Sequence, residues 1–281
     1  MDKKYKLTNE IINVDGYTFY RIEALKDFGD VKKGEKGGYV ENEDNLSQSG
    51  DCWVYGDGKV FDNAVVYGDG KVFDNAEVYG DAKVYGNAMV CENAEVYDNA
   101  KVYGNAVVYG NAEVFDSAEV FDSAAIYDDA LVCDNVEVCD NASVYGNARV
   151  YSKAKVYEYA AVFDDAMVCG NAKVYGNARV CENVWVNCKV QVCGCAEVFG
   201  KAKICGDAVI TSNSDYIVFK NWWSSGRYFT WTRSNNMWKV GCFYGTGEQL
   251  IEKAYEDSEK SGREYERVVR YVESIIKDYH K

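Results

Sequence analysis

Apolar and polar positions alternate on a six-residue beat from Cys52 to Asn213, twenty-seven units without an insertion. Ala76–Asn111 reads A-E-V-Y-G-D, A-K-V-Y-G-N, A-M-V-C-E-N, A-E-V-Y-D-N, A-K-V-Y-G-N, A-V-V-Y-G-N. Position three is Val in twenty-four units and Ile in three (Ile126, Ile204, Ile210), and position one is Ala in twenty-one. Residues two apart on a strand point the same way, so positions one and three turn inward together while two and four face out. Positions five and six are mostly Gly, Asp or Asn, which tolerate the left-handed backbone of a sharp corner. Each unit is therefore one short strand and one corner. A lone unit cannot bury its Val, so successive coils must stack.

Both ends break the beat. Residues 1–39 hold an alternating run from Tyr17 to Ile22 and a Gly/Lys-rich turn ending at Gly37-Gly38, and read as a small N-terminal β cap. Two imperfect hexads, Val40–Asn45 and Leu46–Asp51, lead into the regular coils, so the repeat domain spans 40–213. Residues 214–281 form a C-terminal module with strand-like segments at Tyr216–Trp223, Arg227–Thr232 and Met237–Phe243, then two helices. Thr246 with Gln249, and Ser261 with Glu264, each fit a capping box. The second helix places Tyr265, Val268, Val269, Val272, Ile275, Ile276 and Tyr279 on one face. Caps of this kind cover solenoid rims that would otherwise pair edge to edge, which argues against an open filament.

The repeat resembles the hexapeptide pattern of left-handed parallel β-helix proteins, in which three strands make an eighteen-residue triangular coil. That resemblance implies an all-β solenoid of about nine to ten coils, the nine regular ones about 43 Å long at ~4.8 Å per coil. The flanks resemble those around hexapeptide arrays of bacteriophage and prophage proteins, through Gly37-Gly38-Tyr39-Val40, Asn45-Leu46 and the run Gly241 to Thr246. Hexapeptide acyltransferases use a His base and often an extruded loop, and gamma-class carbonic anhydrases need three His. This chain has one His, His280, and no loop between Cys52 and Asn213, so neither chemistry is supported. No catalytic residue, cofactor or metal is expected.

Charge divides by region. Residues 1–39 carry eight Lys/Arg and seven Asp/Glu, residues 214–281 eleven and ten, and the repeat twelve and twenty-eight, a net of −16. Such a prism repels phosphate and favours a basic protein partner over nucleic acid. No signal peptide or long apolar run is evident, so the chain reads as soluble, without a membrane, and cytoplasmic. Seven of eleven Cys replace an aromatic at position four and read as packing thiols. Cys188, Cys193 and Cys195 match no zinc spacing.

Residues eighteen apart share a face. On the first face, positions two and four from Met89 to Ala161 carry no charge, and Met89, Val107, Tyr109, Ala125, Tyr127 and Tyr145 form a flat strip suited to self-association, with a dimer favoured over a trimer. The second face and the corner after it carry the acidic columns Glu77, Glu95, Glu113 and Asp98, Asp116, Asp134. No Lys or Arg occurs between Lys101 and Arg149, against nine acids. Stacked like charges repel, so a sequence selected for stability alone would intersperse Lys; a solubilising surface copied with the repeat is the alternative. Trp222, Trp223, Trp231 and Trp238 are a ligand-stacking cluster or the core of a small module.

The expected function is a non-catalytic, rigid interaction protein, phage-encoded, whose acidic and aromatic faces bind and block a basic host protein such as a nucleic-acid-binding defence nuclease. A sponge or binder for a nucleotide or glycan, a degenerate hexapeptide acyltransferase and a structural spacer are the competing readings.

Overall fold

The computed structural model describes residues 3–223 and 225–279. Its centre is a parallel β-solenoid of twenty-seven two-residue strands, β4 (Trp53–Val54) to β30 (Val209–Ile210). Every third strand stacks, giving three parallel sheets along the prism, for example Met89↔Val107↔Ala125 on the first face. Positions one and three are buried along the whole solenoid, so the core is one continuous rank of Val and Ala. Position five alone is left-handed, as at Asp98 (φ 55°) and Asp116 (φ 56°), at every corner but the last, where Ser212 is extended (φ −152°).

The hydrogen bonds between coils have a polarity. Amides at positions two, four and six donate to carbonyls one coil further on, as Lys71 to Ala88 (2.9 Å), Phe73 to Val90 (2.9 Å) and Asn75 to Glu92 (2.8 Å). In the parallel ladder the position-three amide returns a bond to the position-two carbonyl of the coil before, so most but not all bonds run forward: the first coil exposes mainly carbonyls and the last coil mainly amides. The two caps answer with opposite chemistry.

The N-terminal cap supplies donors. β1 (Tyr5–Val14) and β2 (Tyr17–Ala24) form a hairpin, and β3 (Lys36–Val40) joins β2 to the solenoid sheet through strand β5 (Lys59–Val60). The expected boundary at 39/40 therefore falls inside a strand. The Tyr39 and Glu41 amides reach Gly58 and Val60 carbonyls at 2.9 and 3.1 Å. Asn45 Nδ2 reaches the Asp62 and Ala64 carbonyls at 3.0 Å each. Buried Lys4 places Nζ 2.9 Å from the Cys52 carbonyl. Gly37 and Gly38 allow this close seat: a Cβ on Gly37 would lie 2.6 Å from the Val54 carbonyl oxygen, and one on Gly38 2.6 Å from that of Gly58.

The C-terminal cap supplies acceptors. Asn213 Oδ1 takes the Glu197 amide at 2.8 Å, Thr230 Oγ1 the Lys203 amide at 2.9 Å, Ser234 Oγ the Val209 amide at 2.7 Å and Asp215 Oδ2 the Thr211 amide at 2.8 Å. The module is an antiparallel sheet, β31 (Tyr216–Lys220), β32 (Tyr228–Thr232), β33 (Met237–Val240) and β34 (Phe243–Gly245), followed by α1 (Gly247–Asp257) and α2 (Glu259–Tyr279). The capping box of Thr246 and Gln249 forms as expected. The expected box at Ser261 does not cap α2, because Ser261 lies inside that helix. Ser258 stands before it instead, its Oγ accepting the Ser261 amide at 3.1 Å. Val269 and Val272 of α2 are buried against the sheet, with Tyr265, Val268 and Ile276 beside them. The side chain of Tyr279 and all of His280 lie outside the described residues.

Candidate partner-binding surfaces

The corner geometry builds the acidic edge. Position-five carboxylates reach forward to the corner amide of the next coil: Asp116 Oδ2 accepts from the Asp134 amide at 3.3 Å, and Asp134 Oδ2 from that of Ser152 at 2.7 Å. This bond offsets the strain of a left-handed non-glycine residue and explains why Asp recurs there. Asp116 and Asp134 are therefore structural as well as charged. Asp98 is exposed on the same edge.

On the second face Glu77, Glu95 and Glu113 stand in register. Tyr79, Tyr97 and Phe115 stack beside them at 4.9 and 4.8 Å with planes 2° apart. Tyr79 Oη donates to Glu95 Oε2 at 2.8 Å and Tyr97 Oη to Glu113 Oε2 at 3.0 Å. Burial, then the carboxylate bond, hold both phenols well above their ordinary pKa. They are neutral donors and bring no countercharge to the carboxylates they meet. Glu77 differs, since Lys59 Nζ lies 2.8 Å from its Oε1. The unneutralised ladder therefore begins one coil later than the sequence columns suggested. Among the described residues, none of Glu95, Asp98, Glu113, Asp116 and Asp134 has a Lys or Arg in ion-pair contact; the paired acids of the third face, Glu119 with Lys101 (2.8 Å) and Glu137 with Lys155 (2.5 Å), lie elsewhere.

The first face carries the expected strip. Met89, Val107, Ala125, Ser143 and Ala161 run in register, and Tyr109, Tyr127, Tyr145 and Phe163 stack alongside at 4.9, 4.7 and 4.9 Å. The rings are half-buried by one another, and Met89 is exposed.

The four tryptophans fall into two pairs, Trp231 opposite Trp238 on neighbouring strands and Trp222 edge to face with Trp223 at 6.2 Å. Trp231 and Trp238 are each 2% exposed in the core of the C-terminal module, and Trp231 Nε1 donates to Asn236 Oδ1 at 2.9 Å. Trp223 packs near Phe229 and Tyr265, while Trp222 is 82% exposed. No common stacking platform results. A groove of about 390 Å³ does open beside this core, lined by Arg227, Val240, Cys242, Leu250, Lys253 and Tyr265 among others.

Thiols at position four are packing groups: burial pushes Cys91 and Cys139 up to about 11 and Cys133 up to about 12. Cys193 is buried while Cys188 and Cys195 are exposed, and no three potential metal ligands converge among the described residues. No described helix is long and apolar enough to cross a membrane.

Fold and surfaces together define a doubly capped, parallel β-solenoid with one acidic edge and one uncharged aromatic face. No protein-family model matches the chain, and a search of curated proteins finds no significant match.

Proposed function

We propose that this protein is a non-catalytic, rigid interaction protein that binds and blocks a protein with a basic groove, of the kind a nucleic-acid-binding nuclease presents. The observation that carries this reading is the run of carboxylates at Glu95, Asp98, Glu113, Asp116 and Asp134, which no cation neutralises among the described residues. Their spacing is fixed by the coil repeat, so the charge array needs no ordering when a partner docks. Phage origin and action in a bacterial cytoplasm belong to the same proposal, and the flanking motifs support the phage origin. The lone His280 at the chain's end, and a repeat without an extruded loop, favour a binding role over acyl transfer.

The test replaces all five acids with Asn or Gln, moving the net charge from −14 to −9 (−14 + 5). Wild type and variant are used side by side to capture protein from bacterial lysate, and association with the captured protein is followed as salt rises. Steered binding should slow steeply as the Debye length falls from about 10 Å at 0.1 M to about 3 Å at 1 M, and the variant should bind weakly while keeping its fold. Full affinity in a folded variant would reduce the ladder to solvated surface.

A second reading, a binder of a nucleotide or glycan, is favoured by the C-terminal groove, where Arg227, Lys253 and Asp257 surround Val240, Leu250 and Tyr265. Heat stabilisation by a nucleotide panel, lost in Arg227→Ala, would support it over the first.

A further inference from the structure

In the middle of the first face the tyrosine hydroxyls have no acceptor beside them. Elsewhere a position-four Tyr often meets a long acceptor at position two of the next coil: Tyr79 meets Glu95, Tyr97 meets Glu113, Tyr103 meets Glu119 and Tyr175 meets Gln191, at 2.8 to 3.1 Å. On the first face that place is taken by Ala125, Ser143 and Ala161. The hydroxyls of Tyr109, Tyr127 and Tyr145 accordingly make no hydrogen bond among the described residues. The small side chains leave a shallow trough along the prism, and the stacked rings form a ridge beside it.

We propose that a second copy of this chain covers this face, in a two-fold dimer whose prisms lie parallel. Charge selects the occupant. The outward columns of the other two faces carry Glu, Lys or Arg in most coils, and a second copy lying there would desolvate those charges. The first face between Met89 and Phe163 has no charge in either outward column. Shape then selects the symmetry. A two-fold axis parallel to the prism lays each ridge over the other copy's trough, with Tyr127 against Ala125 of the second copy. An axis perpendicular to the prism sets ridge on ridge and trough on trough. Only the parallel arrangement is self-complementary. The uncharged stretch covers five coils, about 24 Å at ~4.8 Å each, which makes a small interface that dissociates on dilution.

The dimer has a consequence for binding. The edge bearing Asp98, Asp116 and Asp134 lies between the second and third faces, opposite the first. Two copies joined by their first faces point two acidic edges outward in opposite directions. A partner with two basic grooves, or two partners, would then be held by avidity without a new contact.

The dimer is tested alone, without any basic partner, so its failure leaves the acidic-edge proposal standing. Sedimentation velocity at tens of micromolar should give twice the 31.5 kDa chain mass, and Ala125→Glu should return it to 31.5 kDa. Lys173→Glu on the third face should leave the dimer intact. Should Ala125→Glu fail to fold, Ser143→Lys, which also points outward, carries the same expectation. A wild type that stays monomeric, a trimeric mass, or both folded variants remaining dimeric would overturn the proposal. A benzoylphenylalanine photo-crosslinker at Phe199 should capture the Arg179–Glu197 end of the second copy. Capture of the Trp53–Lys71 end would overturn the parallel arrangement.

Discussion

Thr230→Val isolates the claim that acceptors from the C-terminal module hold the last coil. Thr230 is 1% exposed, and its Oγ1 accepts the Lys203 amide at 2.9 Å. Valine replaces the hydroxyl with a methyl of similar volume, so packing changes little and the loss is polar. Lys203 lies on the edge strand β29 (Lys203–Ile204), with no further coil to take its N–H. Leaving a covered amide unsatisfied costs about 1–3 kcal/mol. For a chain of this size the melting midpoint falls roughly 2–4 °C per kcal/mol, so a drop of about 2–12 °C is expected. Repeat proteins couple mainly to neighbouring coils, so the loss should concentrate at this end. Hydrogen exchange should therefore speed up at Lys203 and across β32, while Val114 in the middle of the prism stays protected. An unchanged midpoint together with unchanged exchange at Lys203 would refute the reasoning.

Two further outcomes are expected. Burial, then the neighbouring Tyr145 and Tyr109, raise Tyr127 from 10.0 to about 12, and burial raises Tyr79 and Tyr97 as well. A folded pKa above the unfolded one gives stability that is complete below pH ~10 and lost as pH rises through the folded value, so tyrosinate absorbance should lag that of the denatured chain and rise together with unfolding; coincident titration curves would count against the stacked ladders. Trp238→Ala should destabilise the C-terminal module by about 3–5 kcal/mol, whereas Trp222→Ala should stay within about 0.5 kcal/mol, measured by denaturant unfolding with iodide quenching to show that Trp222 is the accessible indole.

The sequence by itself determined the solenoid, because a six-residue period leaves each Val only one way to be buried, against the Val eighteen residues on. The column arithmetic followed from that period, which is why Glu95 falls beside Glu113 and Val107 beside Ala125 as expected. The pairing of Tyr97 with Glu113 was within reach of the same arithmetic, being a position-four donor and a position-two acceptor one coil later. Lys59 stands eighteen residues before Glu77, so the same arithmetic places it beside Glu77 and not beside Glu95, which has no ion-pair partner among the described residues. Only the tertiary structure decided how the ends are closed. The caps were legible as caps but not as chemistry. That Lys4 and Asn45 donate while Thr230 and Ser234 accept depends on the direction of the inter-coil hydrogen bonds, which no local pattern encodes. The start of α2 was misplaced by reading Ser261 as its cap, since Ser258 offers the same hydroxyl three residues earlier and the path of the chain out of α1 selected it. Local repetition fixed the prism and its charge columns; its ends were set by groups distant in sequence, where only packing brings donor and acceptor together.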